Sequence, residues 1–166
     1  MKRSVKLFFE LLNDDACVVL QTFEEYAKCF NAHAEWAFST RCSNKNICHR
    51  EFYGKARELC PILPCALVQT ARDTALEAAK ATKFKFKSTK AKLSAMRYDC
   101  RTLKLLKNGE IIFSTVGKRV RAKLRISSYH RDIMRSAVKR CGGCVIGFDK
   151  RQKKFYVVLV YELRDA

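Results

Sequence analysis

The spacing of hydrophobic residues changes twice along this chain. From Ser4 to Leu12 it alternates, with Val5, Leu7, Phe9 and Leu11 on one face and Lys6, Phe8 and Glu10 on the other, which predicts a strand. Asn13-Asp14-Asp15 then supplies helix-capping chemistry. Beyond it Ala16, Leu20, Phe23, Ala27, Phe30, Ala34 and Ala37 recur at helical spacing, predicting a helix to about Phe38 that packs this stripe against other helices. His33 and Trp36 flank the stripe and suggest no chemistry. Residues 39–49 are polar and read as a loop. Arg50 to Cys60 reads as a short helix with Phe52, Tyr53, Ala56 and Leu59 on its inner or ligand-facing side. A third helix is predicted over 64–82. Pro64 suits its first turn, where the missing N–H would have no partner. Leu67, Val68, Ala71, Ala75, Ala78 and Ala79 share one face of it, so a neighbour can approach closely. Gln69, Arg72, Asp73, Glu77 and Lys80 share the other, where Asp73, Glu77 and Lys80 are spaced to interact.

After about residue 92 the period falls to two. Leu103–Lys107 and Glu110–Val116 flank Asn108-Gly109, a strong hairpin signal. From Arg119 to Ile126, Val120, Ala122, Leu124 and Ile126 alternate with Arg119, Arg121, Lys123 and Arg125. Tyr129–Arg140 reads as a short basic helix. Cys144–Asp149 and Lys154–Leu163 read as a closing hairpin around residues 150–153. The last strand is apolar on both faces and is predicted to be central and buried on both sides. The fold class is therefore α+β. Residues 1–12 and 92–166 are expected to form a β-barrel, with 13–91 as a helical insertion.

Charge sharpens this picture. The 166 residues carry a formal net charge of +18. Residues 1–79 hold ten Lys/Arg and ten Asp/Glu, whereas residues 80–166 hold twenty-four and six, so the second half carries the whole excess. A field concentrated on one half points to a polyanionic partner. A membrane surface fits less well, because the basic half reads as strands rather than an amphipathic helix, and no run of eighteen apolar residues is present. The start MKRSVKLFFELL does not read as a signal peptide, since Glu10 interrupts the apolar run and no small-residue cleavage site follows. Nine scattered cysteines, an odd number, suit free thiols in a reducing, intracellular (cytoplasmic) setting better than a disulfide framework.

Two stretches carry the candidate binding chemistry. In KFKFKSTKAK, Lys83, Lys85, Lys87, Lys90 and Lys92 surround Phe84 and Phe86. This mixture suits phosphates and stacked bases, and equally a solvated edge strand guarded by lysines. The charge map favours the first. The row Arg119, Arg121, Lys123 and Arg125 is of one sign where a merely solvated face would mix signs, so it favours a phosphate-tracking surface. Catalytic patterns are missing: there is no nucleophile elbow, phosphate loop or dinucleotide glycine pattern. The six carboxylates of the basic half are too dispersed for a metal-dependent nuclease. Cys141-Gly142-Gly143-Cys144 lacks the second pair that a zinc site normally has and the βαβ context of a redox pair, so it reads as a glycine turn. No cofactor is expected.

The order of elements resembles the N-terminal half of the TnpB (OrfB) transposon-encoded RNA-guided nucleases, relatives of type V CRISPR effectors. The residues that carry the resemblance are VKLFFELL, CFNAHAEWAFS, LPCALVQTARDTALEAAK, RYDCRTLKLLKNGEIIFSTVGKRVRAKLRI and GGCVIGFDKRQKKFYVVLVYEL, which together span nearly the whole chain. The resemblance implies a wedge-type barrel and a helical recognition insertion that grip a structured guide-type RNA and read a short motif in duplex target DNA. It places Tyr53 and Gln69 at motif-contacting positions, with Cys65 where a polar or basic contact can stand. In that family a RuvC-like nuclease fold follows the closing strand. Asp165 lacks the glycine-rich strand of the family's first catalytic aspartate, so no cleavage by this chain is expected. Alternatives are one half of a split nuclease paired with a separate partner, a transposon remnant, and an unguided basic DNA-binding protein.

Overall fold

The computed structural model describes residues 1–85 and 93–165. Along the chain these form β1 (Lys2–Phe9), α1 (Asn13–Thr40), α2 (Lys45–Leu59), α3 (Cys65–Ala81), β2 (Ala95–Tyr98), β3 (Leu103–Leu105), β4 (Glu110–Ser114), β5 (Arg119–Lys123), α4 (Ser128–Ser136), β6 (Ala137–Asp149) and β7 (Lys154–Leu163). The fold is α+β. Two compact units divide the chain: Met1–Ala16, Ser94–Ser114 and Arg119–Ala166 form one, and Cys17–Leu93 with Thr115–Lys118 form the other.

In the first unit the alternating strands pair as two antiparallel sheets, β1-β7-β6-β2 and β3-β4-β5. Val5, Leu7 and Phe9 of β1, Ile146 of β6 and Val157 and Leu159 of β7 are buried on one face of the larger sheet. Phe9 stacks on Phe155 with ring centroids 5.9 Å apart. Each such side chain contributes about 1.5–3 kcal/mol by leaving water. The expected closed barrel is corrected. An isolated bridge, Phe9 to Leu124, links β1 to the residue after β5, and among the described residues no ladder joins β2 to β3. Between β2 and β3 the chain makes a tight turn, in which Thr102 and Leu103 N–H both donate to the Asp99 carbonyl.

Strand β7 is central, paired to β1 on one side and to β6 on the other. It is not buried on both sides. Phe155, Val157, Leu159 and Tyr161 are buried, while Tyr156, Val158 and Val160 are only half-buried. Apolar content on both faces therefore did not mean two covered faces. Asn108-Gly109 turns the β3–β4 hairpin, with Gly109 in the left-handed region at φ 81°. The predicted basic helix is shorter than expected, because β6 begins at Ala137. Cys141-Gly142-Gly143 form no turn after it but a bulge within β6, where the register jumps from Arg140 opposite Tyr161 to Cys144 opposite Leu159.

In the second unit α1 buries Val19, Thr22, Phe23, Tyr26, Cys29, His33, Ala34 and Ala37. This face is rotated from the predicted stripe, and Leu20 is 42% exposed. Polar groups turn inward with a partner for at least one atom each, although His33 Nε2 is buried without one. Thr22 Oγ1 donates to the Val18 carbonyl at 2.8 Å, Tyr26 hydroxyl meets Thr70 Oγ1 at 3.4 Å, and His33 Nδ1 lies 2.8 Å from the Cys29 carbonyl. Helix α2 begins five residues earlier than the pattern suggested, because the Asn44 side chain accepts from the N–H groups of Asn46 and Ile47. Helix α3 ends with Lys83 and Phe84 both at positive φ, 51° and 54°. The Phe84 N–H reaches back to the Ala79 carbonyl, closing the helix without glycine.

Candidate nucleic-acid interface

The cationic row of β5 is built by simple alternation. Val120, Ala122 and Leu124 are buried, so Arg119, Arg121, Lys123 and Arg125 face outward and are exposed. Register extends the patch across the three-stranded sheet. Arg121 stands opposite Ile112, and Ile112 opposite Lys104, while Ser114 and Glu110 stand opposite Arg119 and Lys123. Lys104 thus joins Arg119, Arg121 and Lys123 on one face, with Glu110 as the only acid among these paired positions. Sequence reasoning missed Lys104. The signal was there, since the Asn108-Gly109 hairpin places Lys104 across from Ile112.

Not all four predicted cations are equivalent. Arg121 Nε lies 3.6 Å from Glu110 Oε2, and Arg125 is paired with Glu10. Among the described residues Arg119, Lys123 and Lys104 have no ion pair. Exposed pairs contribute only about 0–1 kcal/mol, so a phosphate can displace Glu110 from Arg121. Beside this sheet a cavity of about 360 Å³ lies between the β3–β4 turn and α4. Lys107, Arg131 and Arg135 contribute cations to its rim, and Leu106, Ile126 and Met134 line its walls.

The lysine–phenylalanine stretch divides. Lys83 and Lys85 are exposed at the end of α3, with no strand there. Phe84 is half-buried and packs edge-on against Phe38 at 6.2 Å, joining the cluster formed by Ala37, Cys48, Leu76 and Ala79. Its ring is engaged in this core. Phe86, Lys87 and Lys90 lie outside the described residues.

Tyr53 and Gln69 sit on α2 and α3. The Cys65 thiol beside the Tyr53 hydroxyl, together with desolvation, pushes the tyrosine pKa up. Cys65 lies one turn before Gln69 on α3, so the three belong to one seam. Tyr53 also stacks on His49, with centroids 4.5 Å apart and planes 24° apart. Arg72 Nη1 donates to His49 Nδ1 at 3.1 Å and its Nη2 pairs with Asp73 at 2.9 Å. Arginine cannot accept, so His49 Nδ1 must be unprotonated here and its proton sits on Nε2. Arg72 was expected on the outer face yet is only 9% exposed; Asp73 and His49 satisfy its guanidinium. A further buried group is the Cys144 thiol. Cys144 Sγ donates to the Tyr98 carbonyl at 3.7 Å, and burial pushes its pKa to about 11. Among the described residues no group of three or more His, Cys, Asp or Glu is placed to hold a metal ion, and no helix is long and apolar enough to cross a membrane.

Comparison of the chain with models of protein families gives no match, and comparison with curated proteins gives none either.

Proposed function

We propose that this chain is a nucleic-acid-binding module of a TnpB-like, RNA-guided DNA-targeting protein. In this reading it grips a structured guide-type RNA and reads a short motif in duplex DNA without itself catalysing a reaction. The observation that carries it is the face of the three-stranded sheet, where Lys104, Arg119, Arg121 and Lys123 converge with one acid between them. Such a face matches a phosphate backbone and little else of comparable size. The open pair of sheets, joined at Phe9 and Leu124, is read as the wedge-type barrel. The helices from α1 to α3 are read as the recognition insertion, with the Tyr53–Cys65–Gln69 seam toward DNA bases. Lys83 and Lys85, exposed at the end of α3, are read as further phosphate contacts within the helical unit. The many carboxylates already paired with cations, such as Asp73 with Arg72 and Glu162 with Lys139, suit a binding role. Under this reading the nuclease activity belongs to a further segment or a separate chain.

The test is to purify the protein without nuclease treatment and sequence the RNA that comes with it. A discrete RNA species that survives moderate salt supports guide binding. Random RNA released by moderate salt removes the guided reading and leaves an unguided, basic DNA-binding protein.

A further inference from the structure

The four-stranded sheet turns a second face outward, opposite its buried one, and this face differs from the cationic patch. Two adjacent cross-strand rows define it. One runs Ala95, Gly147, Tyr156, Phe8 and the next runs Arg97, Val145, Val158, Lys6. The first row holds two half-buried aromatic rings at its β7–β1 end. The second holds a cation at each end.

Gly147 shapes the aromatic row. A Cβ built there would lie 2.2 Å from Tyr156 Cζ and 2.3 Å from its hydroxyl oxygen. The Tyr156 ring therefore lies flat across Gly147 instead of standing up from the sheet. Phe8 meets it edge-on, with centroids 6.2 Å apart at 72°. Covering a strand glycine with a cross-strand ring is a known sheet device, and it explains the flat pose. It does not explain what lies above the ring. Lys6 Nζ sits 4.2 Å from the Tyr156 centroid and 5.3 Å from that of Phe8. This is a flexible cation held over an accessible π face, a contact worth only about 0.5–1 kcal/mol when exposed. A flat arriving group can displace it, and the ammonium then remains within reach of an attached phosphate.

A flat ring backed by the sheet, a second ring at its edge and flanking cations are what an unpaired nucleotide needs: a stacking surface for its base and charge for its backbone. We infer that the outer face of the four-stranded sheet is a stacking platform for unpaired bases of single-stranded RNA, with Tyr156 as its centre and Lys6 as its phosphate contact. The occupant follows from charge and shape together. Lys2 and Lys6 of β1, Arg97 of β2 and Lys154 of β7 share this face with the two rings and outnumber its acids, Glu162 opposite Lys2 and Asp149 opposite Lys154, which suits a negatively charged strand of planar groups. A duplex keeps its bases stacked on one another and so cannot use Tyr156. The inference rests on the nucleic-acid-binding reading but concerns different residues from the cationic patch.

The test uses the full chain and a short single-stranded RNA carrying iodouridine, with a fully paired hairpin of the same composition in parallel. After irradiation, crosslinked peptides are mapped by mass spectrometry. Crosslinks at Tyr156 or Phe8 with the single strand, absent with the hairpin, are expected. Tyr156→Leu, which still covers Gly147, is expected to weaken single-strand binding about tenfold and leave hairpin binding unchanged, whereas Tyr156→Phe retains affinity. Crosslinks confined to Arg119–Lys123, with Tyr156→Leu binding as the parent does, overturn the platform and leave the cationic patch standing. Failure of the parent chain to bind either RNA overturns the nucleic-acid reading itself, and the platform with it. Because the crosslink is read on the unsubstituted protein, a folding defect in a variant cannot imitate a negative result.

Discussion

The two sheets obey the same alternation yet present opposite kinds of outer surface. On the three-stranded sheet the outward positions of β5 are all cationic, Lys104 adds to them, and no aromatic ring stands among the outward paired positions. On the four-stranded sheet the outward positions include two rings and several valines, with cations and two acids, Glu162 and Asp149, at the margins. The first can neutralise phosphates but has nothing on which a base can stack. The second offers stacking with sparse charge. Strand pattern alone thus says which residues face out; what they recognise depends on the chemistry of neighbours brought together by register. The practical difference is salt dependence, since phosphate contacts release counterions and stacking does not.

The largest effect is expected from replacing Arg119, Arg121 and Lys123 together by alanine. RNA affinity should fall by about a hundredfold near physiological salt, and the slope of log affinity against log salt should flatten by about two for a single strand. Filter binding across a salt series checks this; an unchanged slope would remove the patch from the interface. Gly147→Val should come next. Its side chain takes the space of the Tyr156 ring, so a loss of about 1–3 kcal/mol is expected from overpacking. Denaturant unfolding measures it, and a variant as stable as the parent would show that the ring rests there loosely. Tyr156→Leu should cost single-strand affinity about tenfold with the salt slope unaltered, the opposite signature to the triple variant. A parallel loss of slope would mean that both faces act through charge.

A smaller effect tests the helical unit. Burial lowers the pKa of His33 from its ordinary 6.5, opposed by the hydrogen bond to the Cys29 carbonyl, with Arg72 lowering it further and Asp73 raising it. A depressed histidine pKa means that the unfolded chain takes up the proton first. The protein is therefore fully stabilised by neutral His33 above about pH 6.5 and loses that contribution as pH falls below it, by at most about 1.4 kcal/mol per pH unit. Thermal melts of the parent and His33→Gln between neutral and mildly acidic pH should converge as pH falls. Parallel curves would mean that another group governs acid stability. The smallest effect should come from Glu110→Gln, which frees Arg121. RNA affinity should rise about twofold, in line with the small worth of an exposed pair; a fall would assign Glu110 a direct role in binding.

Much of the strand unit was legible because its information is local. Val120, Ala122 and Leu124 alternate with cations, and Asn108-Gly109 carries the left-handed residue that a reversal needs. Helix α3 was legible for the same reason, although Arg72 was placed on the wrong side. The face of α1 was misread because Thr22, Tyr26 and His33 look polar in isolation. Two of the acceptors that let them turn inward lie one helical turn away, on Val18 and Cys29, and the third is Thr70 on another helix. Hydrophobicity counts cannot register such pairings.

The sequence by itself determined the α+β class, the segregation of +18 into one half and the outward direction of the β5 cations, because composition and period-two alternation need no knowledge of distant partners. Only the tertiary structure decided that the sheets stay open at β2 and β3, that Arg72 is buried between His49 and Asp73, that Phe84 packs into a core cluster, and that Tyr156 lies across Gly147 beneath Lys6. Each of these depends on register or on contacts between residues far apart in the chain. Outside a tight hairpin, a cross-strand neighbour is set by how two whole strands align, and no local pattern encodes it.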